Sequence, residues 1–236
     1  MGEKGITLAV VGDVHHDVAK LRRVLDHIDE TGADGVLLVG DLGSADLSWA
    51  VRRTPERDAR YLDSLAEVLS MARGLGLPVA YVPGNHDLPG LSLPGNCDGT
   101  VVDVAGLRVG GIGGAGPDRF GFCYEWGDDE IRARPALACD VLLCHCPPRG
   151  VLDTTRRGTL AGSEAILERA RAHRGFLVCG HIHEAAGVCW VDGCLCLNAG
   201  GLGRPYGKAQ VGYVQRTASG DRAWHVDLET GQVVRG

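Results

Sequence analysis

The chain has 236 residues, of which 44% are hydrophobic and 23% are charged. This balance is typical of a globular protein and excludes a disordered, collagen-like or coiled-coil chain. The net charge is −6, which argues against a general nucleic-acid or membrane-surface binder, because such proteins present a basic face. Glycine is unusually frequent, with 36 residues. The fold therefore needs many tight turns or close approaches of the backbone.

The first residues lack the 7–15-residue apolar stretch of a signal peptide. No run in the sequence approaches the ~18 apolar residues of a membrane span. The chain has nine cysteines, an odd number that does not suggest a disulfide framework in a chain of this length. We therefore expect a cytoplasmic protein whose thiols are mostly reduced.

Five short apolar runs recur along the chain. Their length and their content of β-branched residues predict buried strands. The runs are Ile6–Val11, Val36–Val39, Val79–Val82, Val141–Cys144 and Phe176–Cys179.

Helix signals separate several of these runs. After the first run, apolar residues recur at helical spacing between Asp17, which predicts an N-cap, and Gly32, which predicts a stop. Thr54 and Pro55 predict the start of a second helix, because proline is favoured at the first helical position. Ser163 predicts the N-cap of a third helix, before the fifth run.

The rest of the chain is rich in hairpin signals. Three pairs of short strands are predicted around the dipeptides Ala105-Gly106, Asp192-Gly193 and Ser219-Gly220. Alternating strands and helices, together with these hairpins, predict an α/β fold with two sheets, in which some of the strands are mixed in direction. We assign residues 1–236 to a single domain.

Every one of the five runs leads to a side chain that can bind a metal. Ligands bind outside the carboxyl ends of strands in open α/β sheets, so we expect these side chains to share one site. A single motif of this kind is more often a turn, but turns do not explain five such motifs at five strand ends. The motifs are Gly12-Asp13-Val14-His15, Gly40-Asp41, Gly84-Asn85-His86-Asp87, His145 and Gly180-His181-Ile182-His183.

These motifs supply more nitrogen and oxygen ligands than one metal ion requires. Imidazole, carboxylate and amide ligands suit Mn, Fe, Zn or similar ions. Two such ions about 3.5–4 Å apart activate a bridging hydroxide for in-line attack at phosphorus. We therefore expect two divalent metal ions as cofactors, held by Asp13, His15, Asp41, Asn85, His145, His181 and His183.

In this order the motifs resemble the signature of the calcineurin-like metallophosphoesterases. The resemblance runs from Gly12 to His183. It implies an α/β fold, a four-layer αββα sandwich of two mixed β-sheets flanked by helices, with a dinuclear metal site. The implied ligand sets are Asp13, His15 and His183 for one metal, Asn85, His145 and His181 for the other, and Asp41 as the bridge.

The resemblance also implies which residues act on the substrate. Asp41 and His86 are the implied catalytic residues, and His86 is expected to stabilise the transition state or protonate the leaving oxygen. Asn85 and His86 are expected to contact the substrate. We also predict a phosphate contact for Arg149, which lies in the loop after His145.

Departures from the family pattern indicate which subfamily the sequence resembles. Ser44 and Ala45 stand where the protein Ser/Thr phosphatases carry an aspartate and a phosphate-gripping arginine, and Asp87 stands where they carry glutamate. A protein phosphatase of that subfamily is therefore not expected. The motifs are closer to class III cyclic-nucleotide phosphodiesterases and small bacterial relatives.

We accordingly expect a metal-dependent phosphoesterase that hydrolyses a small phosphodiester such as a nucleotide. Three alternatives remain: a phosphomonoesterase or protein phosphatase with the same metal site, a non-catalytic scaffold, and a nuclease subunit. We expect neither a membrane partner nor stable nucleic-acid binding, and the oligomeric state stays open.

Some neighbouring residues admit two interpretations each. Phe122 and Trp126 either line a substrate pocket or cap the core, and we favour the core. Asp87 either orients His86 or caps the next turn. For His16 a surface or supporting role is favoured over contact with the substrate.

Overall fold

The computed structural model describes residues 5–44 and 54–236. Ala45, which bears on the subfamily, lies outside the described residues. Within these ranges the elements in chain order are β1 (Ile6–Val11), α1 (Val18–Thr31), β2 (Gly35–Leu38), α2 (Pro55–Arg73), β3 (Val79–Tyr81), β4 (Val101–Val104), β5 (Leu107–Ile112), α3 (Asp128–Ala133), β6 (Val141–Cys144), α4 (Glu164–Ala172), β7 (Gly175–Cys179), β8 (Gly187–Val191), β9 (Cys194–Asn198), β10 (Gln210–Thr217), β11 (Gly220–Asp227) and β12 (Val233–Arg235).

The strands form two six-stranded sheets. The first has the order β12-β11-β10-β1-β2-β3, and the second has the order β4-β5-β6-β7-β9-β8. In the first sheet β1, β2 and β3 are parallel, whereas β10, β11 and β12 are antiparallel to their neighbours. In the second sheet β5, β6, β7 and β9 are parallel, and antiparallel strands occupy both edges. Both sheets are mixed, as the resemblance implied.

Alternation along β1 shows how the layers are built. Leu8 and Val10 belong to an apolar cluster between the two sheets. Ala9 and Val11 point to the opposite face, where they pack with residues of α1 and α2. Because successive side chains of a strand point to opposite faces, a strand buried on both sides reads as a continuous apolar run.

The second sheet is covered in the same way on its outer face. Ile131 of α3 and Ile166 of α4 pack with Leu142 and Leu177 of the sheet. The order of layers is therefore helices, sheet, sheet, helices, and the expected four-layer αββα sandwich is confirmed.

The predicted helix ends are also confirmed. Asp17 accepts a hydrogen bond from the backbone of Lys20, and Gly32 ends α1 in the left-handed conformation. Thr54 and Ser163 cap α2 and α4 through their side-chain oxygens. Among the described residues, no helix combines the length and apolarity needed to cross a membrane.

Candidate metal centre

Four of the predicted metal ligands have a backbone conformation that non-glycine residues seldom adopt. The φ angle is 47° at Asp13, 43° at His15, 50° at Asp41 and 65° at His181. Each such residue costs on the order of 1–3 kcal/mol and persists only where the surrounding structure enforces it. The strain is concentrated in the loops that follow β1, β2 and β7.

Glycines precede the predicted ligands Asp41 and Asn85 because a larger residue does not fit at either position. A Cβ on Gly40 would lie 2.5 Å from Nδ1 of His145, and the φ of Gly40 is +94°. A Cβ on Gly84 would collide with both the carboxylate and the backbone nitrogen of Asp41. The two glycines thus allow the loops after β2 and β3 to approach each other, which explains part of the high glycine content.

The structure brings six of the predicted ligands into two adjacent groups. Within each group the potential ligand atoms lie within 4.8 Å of one another. The first group joins loops after β1 and β7, and the second joins loops after β2, β6 and β7. The groups are Asp13, His15 and His183 in the first, and Asp41, His145 and His181 in the second.

Asn85, the seventh predicted ligand, lies beside the second group. Its side-chain Oδ1 is 2.9 Å from Nε2 of His145. Asn85 and His145 are both buried, with exposed fractions of 2% and 0%. The structure therefore brings all seven predicted ligands to one edge of the sandwich.

Asp41 lies between the two groups. Its Oδ2 is 3.6 Å from Nε2 of His15 and 3.6 Å from Nε2 of His145. Its Oδ1 accepts a hydrogen bond of 2.9 Å from the backbone N–H of His86. Burial alone would raise the pKa of Asp41, but His145, His86 and His15 hold that pKa well below its usual range. Asp41 is therefore a carboxylate that faces both groups.

Two of the histidines are oriented by backbone carbonyls. Nδ1 of His145 lies 2.6 Å from the carbonyl oxygen of Val39, and Nδ1 of His183 lies 2.6 Å from that of Pro205. A carbonyl oxygen only accepts, so Nδ1 must carry the hydrogen in both rings. In the neutral ring the lone pair is then on Nε2, which faces the cluster, as in metal-bound histidines. Sequence reasoning missed Val39 and Pro205, because a backbone acceptor leaves no side-chain signal.

The surroundings of the buried Asp13 carboxylate show whether these residues fit a metal ion. Its Oδ1 is buried without a hydrogen-bond partner among the described residues. The nearest ring nitrogen, Nε2 of His183 at 3.1 Å, can pair with it only through a proton or a cation. Burial alone would lower the pKa of His183, but Asp13 raises it to about 9. Carboxylate oxygen and imidazole nitrogen are suitable ligands for a divalent ion, and the residues therefore fit one.

His86 lies at the rim of the cluster. Its Nε2 is 4.0 Å from Oδ2 of Asp41, and its side chain is 23% exposed. The ring of Phe122 packs against it, with 4.1 Å between the ring centroids. The core interpretation of Phe122 is therefore wrong, because the loop before α3 carries this ring to His86. The core interpretation of Trp126 is confirmed, since Trp126 is 1% exposed and its indole nitrogen donates to the Gly113 carbonyl.

Asp87 holds two of the loops together. Its carboxylate accepts hydrogen bonds from the backbone N–H groups of Leu42, Gly43 and Gly84. The side chain thus ties the loop after β2 to the loop after β3. This role differs from both predicted ones, which were contact with His86 and capping of the next turn.

Two further predicted residues point elsewhere. The Arg149 guanidinium lies 3.4 Å from a carboxylate oxygen of Glu164 and donates to the carbonyl of Leu160. The structure therefore does not bring Arg149 to the metal ligands. His16 pairs with Glu67 at 2.7 Å in an exposed position, as the surface interpretation expects.

Known proteins share both the sequence pattern and the fold. The model of the calcineurin-like phosphoesterase superfamily domain matches residues 6–220. A search of curated proteins gave no match. Among solved structures, a dimetal phosphatase from Danio rerio is 14% identical with a TM-score of 0.65, each chain being covered to 98%. The E. coli phosphoesterase YfcE is 19% identical with a TM-score of 0.51 and 98% coverage of each chain.

An archaeal phosphodiesterase is 13% identical, with a TM-score of 0.51 and coverage of 98% of this chain and 99% of the other. At these identities the solved structures support the fold alone. The family model, in contrast, spans most of the sequence and includes all five motifs. The chain belongs to the calcineurin-like phosphoesterase superfamily.

Proposed function

We propose that the protein is a dinuclear-metal-dependent phosphoesterase whose preferred substrate is a small phosphodiester, with residues 1–236 acting as one domain. The observation that carries this proposal is the position of Asp41. Its Oδ2 lies at the same distance, 3.6 Å, from a histidine of each group. A carboxylate in that position suits a bridge between two ions.

The proposed ligand sets combine the two groups with Asn85, as the family resemblance implies. One ion would be held by Asp13, His15 and His183, the other by Asn85, His145 and His181, and both by Asp41. When bound, two such ions lower the pKa of a coordinated water and neutralise charge on phosphoryl oxygens. The protein contributes ligands that are already buried and oriented, as the hydrogen bonds of His145 and His183 to backbone carbonyls illustrate.

His86 is the proposed proton donor to the leaving oxygen. Two contacts orient it: its backbone N–H donates to Asp41, and Phe122 packs against its ring. Its partly exposed ring lies at the edge of the buried ligands, where a substrate arrives from solvent. A general acid must reach the reacting group at hydrogen-bond distance, and the position of His86 at the rim, 4.0 Å from Oδ2 of Asp41, supports this proposal.

Two features favour a diester substrate over a monoester. In the sequence, Ala45 stands where the protein Ser/Thr phosphatases carry a phosphate-gripping arginine, and Arg149 is held by Glu164 instead of facing the ligands. A diester carries one negative charge and a monoester dianion two, so a site with fewer cationic side chains suits the diester. The archaeal phosphodiesterase, which has the same fold, is a precedent for this activity in the fold.

The test is Mn-dependent hydrolysis of bis-p-nitrophenyl phosphate and of p-nitrophenyl phosphate by the purified protein. We expect a higher kcat/KM for the diester. Asp41→Ala should abolish turnover and reduce the metal content. His86→Asn should lower kcat by about 100-fold or more while the protein retains both ions.

His16→Asn is the matched control, because His16 is the neighbouring histidine of His15 but pairs with Glu67 at the surface. It should hydrolyse the diester at the wild-type rate. A preference for the monoester would support the phosphomonoesterase instead. Metal-replete protein without turnover of either ester would support a non-catalytic scaffold.

A further inference from the structure

A cavity of about 470 Å³ lies next to the metal centre and shares His183 with it. Its walls come from the loops after β6 and β9, the turn that follows β7, and the strands β10, β11 and β12. The volume lies within the range of about 300–1,000 Å³ that is typical of small-molecule sites. Apart from His183, the predicted metal ligands and His86 do not line this cavity.

Arg156 supplies an unpaired positive charge to the cavity. Its backbone N–H donates to Oε1 of Glu184, while its guanidinium carbon lies 4.0 Å from the ring centroid of Tyr206. With the residues that the structure describes, the guanidinium makes no hydrogen bond or ion pair, so its five N–H donors remain available. Stacking on Tyr206 limits the orientations of the guanidinium before any ligand arrives.

The other charged groups of the cavity are already engaged. Lys208 pairs with Asp227 at 3.1 Å, and Glu184 accepts the hydrogen bond from the Arg156 backbone. Arg156, Lys208, Asp227 and Glu184 sum to zero formal charge, and His183 is paired with Asp13 at 3.1 Å, so the cavity does not attract anions in general. An anionic group would therefore be recognised by Arg156 in particular, through two parallel hydrogen bonds to its guanidinium.

His225 gives the cavity a second recognition element. It lies in β11, is 5% exposed, and its Nε2 is buried without a hydrogen-bond partner among the described residues. A neutral imidazole has one nitrogen that donates a hydrogen bond and one that accepts it. When Nδ1 of His225 carries the hydrogen, Nε2 is the acceptor. An unpartnered buried acceptor is costly unless a donor, such as a ligand hydroxyl, reaches it.

We propose that this cavity is a subsite for a hydroxylated, phosphate-bearing part of the substrate, of the kind found in nucleotides and sugar phosphates. Arg156 binds the phosphate that is not hydrolysed, and His225 accepts a hydrogen bond from a hydroxyl. The scissile phosphate lies on the other side of His183. The inference rests on the proposed function, because it assigns the cavity to the same substrate as the metal centre.

The first experiment measures binding by isothermal titration calorimetry to protein freed of metal with a chelator, so that no turnover interferes. The probes are adenosine 5′-monophosphate and adenosine. We expect the monophosphate to bind more tightly than adenosine. Arg156→Gln should weaken its binding by about tenfold or more and leave adenosine unaffected, because it removes the charged hydrogen bonds to the phosphate.

Arg157→Gln is the matched control, because Arg157 is the next residue in the same exposed loop and does not line the cavity. It should bind both probes as the wild type does. Tyr206→Leu should weaken monophosphate binding by less than Arg156→Gln, because it removes only the stacking. Equal affinity of the two probes, or equal losses in Arg156→Gln and Arg157→Gln, would overturn the subsite.

The second experiment links the cavity to the metal centre. Adenosine 5′-monophosphate should inhibit Mn-dependent hydrolysis of bis-p-nitrophenyl phosphate, and Arg156→Gln should raise its inhibition constant about tenfold. If binding to the metal-free protein depends on Arg156 but the inhibition constant does not, the cavity is a separate site and the substrate assignment is wrong. If the calorimetric test fails, the diester can still be hydrolysed at the metal centre. The subsite and the proposed phosphoesterase function are therefore tested independently.

Discussion

At the scale of single residues, Phe122 shows how an apolar side chain can serve a polar site. The imidazole of His86 needs a fixed orientation, yet its Nδ1 is buried without a hydrogen-bond partner among the described residues. The ring of Phe122, 4.1 Å away between centroids, limits its rotation by packing. The orientation of this histidine therefore depends on contact with Phe122 and on the backbone hydrogen bond to Asp41.

We predict that Phe122→Ala lowers kcat for bis-p-nitrophenyl phosphate by about tenfold without changing the metal content. The reason is that a loosely held acid spends less time in the reactive geometry. Steady-state kinetics and metal analysis measure the two quantities. Phe120→Ala is the control, because Phe120 is 62% exposed and lies 6.3 Å from Phe122. Equal kcat in the wild type and Phe122→Ala would contradict the positioning role.

Asp87 accepts the hydrogen bonds that hold the loops after β2 and β3 together, so we expect it to contribute to stability. Removing its carboxylate leaves the N–H groups of Leu42, Gly43 and Gly84 buried without an acceptor. Each such group costs about 1–3 kcal/mol, so we predict that Asp87→Ala lowers the free energy of unfolding by about 3 kcal/mol or more. Urea unfolding of the metal-free protein measures this loss. Asp63 is exposed in α2, so Asp63→Ala should change the free energy of unfolding by less than about 0.5 kcal/mol. Equal effects of the two substitutions would show that the hydrogen bonds of Asp87 do not stabilise the protein.

At the scale of elements, the central strands and the N-caps of three helices could be predicted from the sequence. Asp17, Thr54 and Ser163 cap helices through their own side chains, so the signal lies within a few residues. The segments α3 and β12 could not be predicted. The six residues of α3 are too few for a periodic pattern, and β12 is an edge strand of three residues that pairs only with β11.

In the candidate site, too, the features with a local sequence signal could be predicted and the others could not. Ligand types and their strand ends are local, and the structure brought all seven residues together. The partners of these residues are not local. Arg149 and Arg156 lie in the same loop, yet only Arg156 reaches the cavity, because Arg149 is held by Glu164 of α4. Such choices depend on tertiary packing, which one sequence does not display.

The loop after β3 provides the prediction for this scale. A Cβ on Gly84 would strike Asp41, so Gly84→Ala must move either β3 or the carboxylate between the two groups. We predict a loss of diester hydrolysis of about 100-fold, since displacements of about 1 Å have effects of that size. Gly90→Ala, in the same segment, has open space around the new methyl group but a φ of +73°. It should cost about 1 kcal/mol of stability and leave the activity unchanged. Full activity of Gly84→Ala would exclude the close approach.

At the scale of the whole molecule, the metal centre joins the two sheets. Asp13 and Asp41 come from loops of the first sheet, whereas His145, His181 and His183 come from loops of the second. The backbone N–H of His181 donates to Oδ2 of Asp13 across this junction. Any ion bound here cross-links the sandwich, and its affinity is linked to folding and to protonation of the ligands.

This linkage predicts a release of protons when metal binds. Asp13 raises the pKa of His183 to about 9, although burial alone would lower it. At pH 7.5 the metal-free folded protein therefore carries a proton on His183 that a metal ion must displace. Isothermal titration calorimetry in buffers of different ionisation enthalpy should show release of about one proton for the first group, decreasing as the pH rises through 9.

His183→Gln removes the titrating ring and should abolish this release, whereas His16→Asn should retain it. The sign of the stability effect follows from the same shift. The raised pKa stabilises the metal-free protein fully below pH 6.5, the ordinary value for histidine, and that contribution is lost as the pH rises through about 9. The metal affinity increases as the pH rises, because fewer protons compete with the metal ion for Nε2 of His183. The stabilisation gained on adding metal should therefore grow between pH 6.5 and pH 9, and a gain independent of pH would show that metal binding displaces no proton from His183.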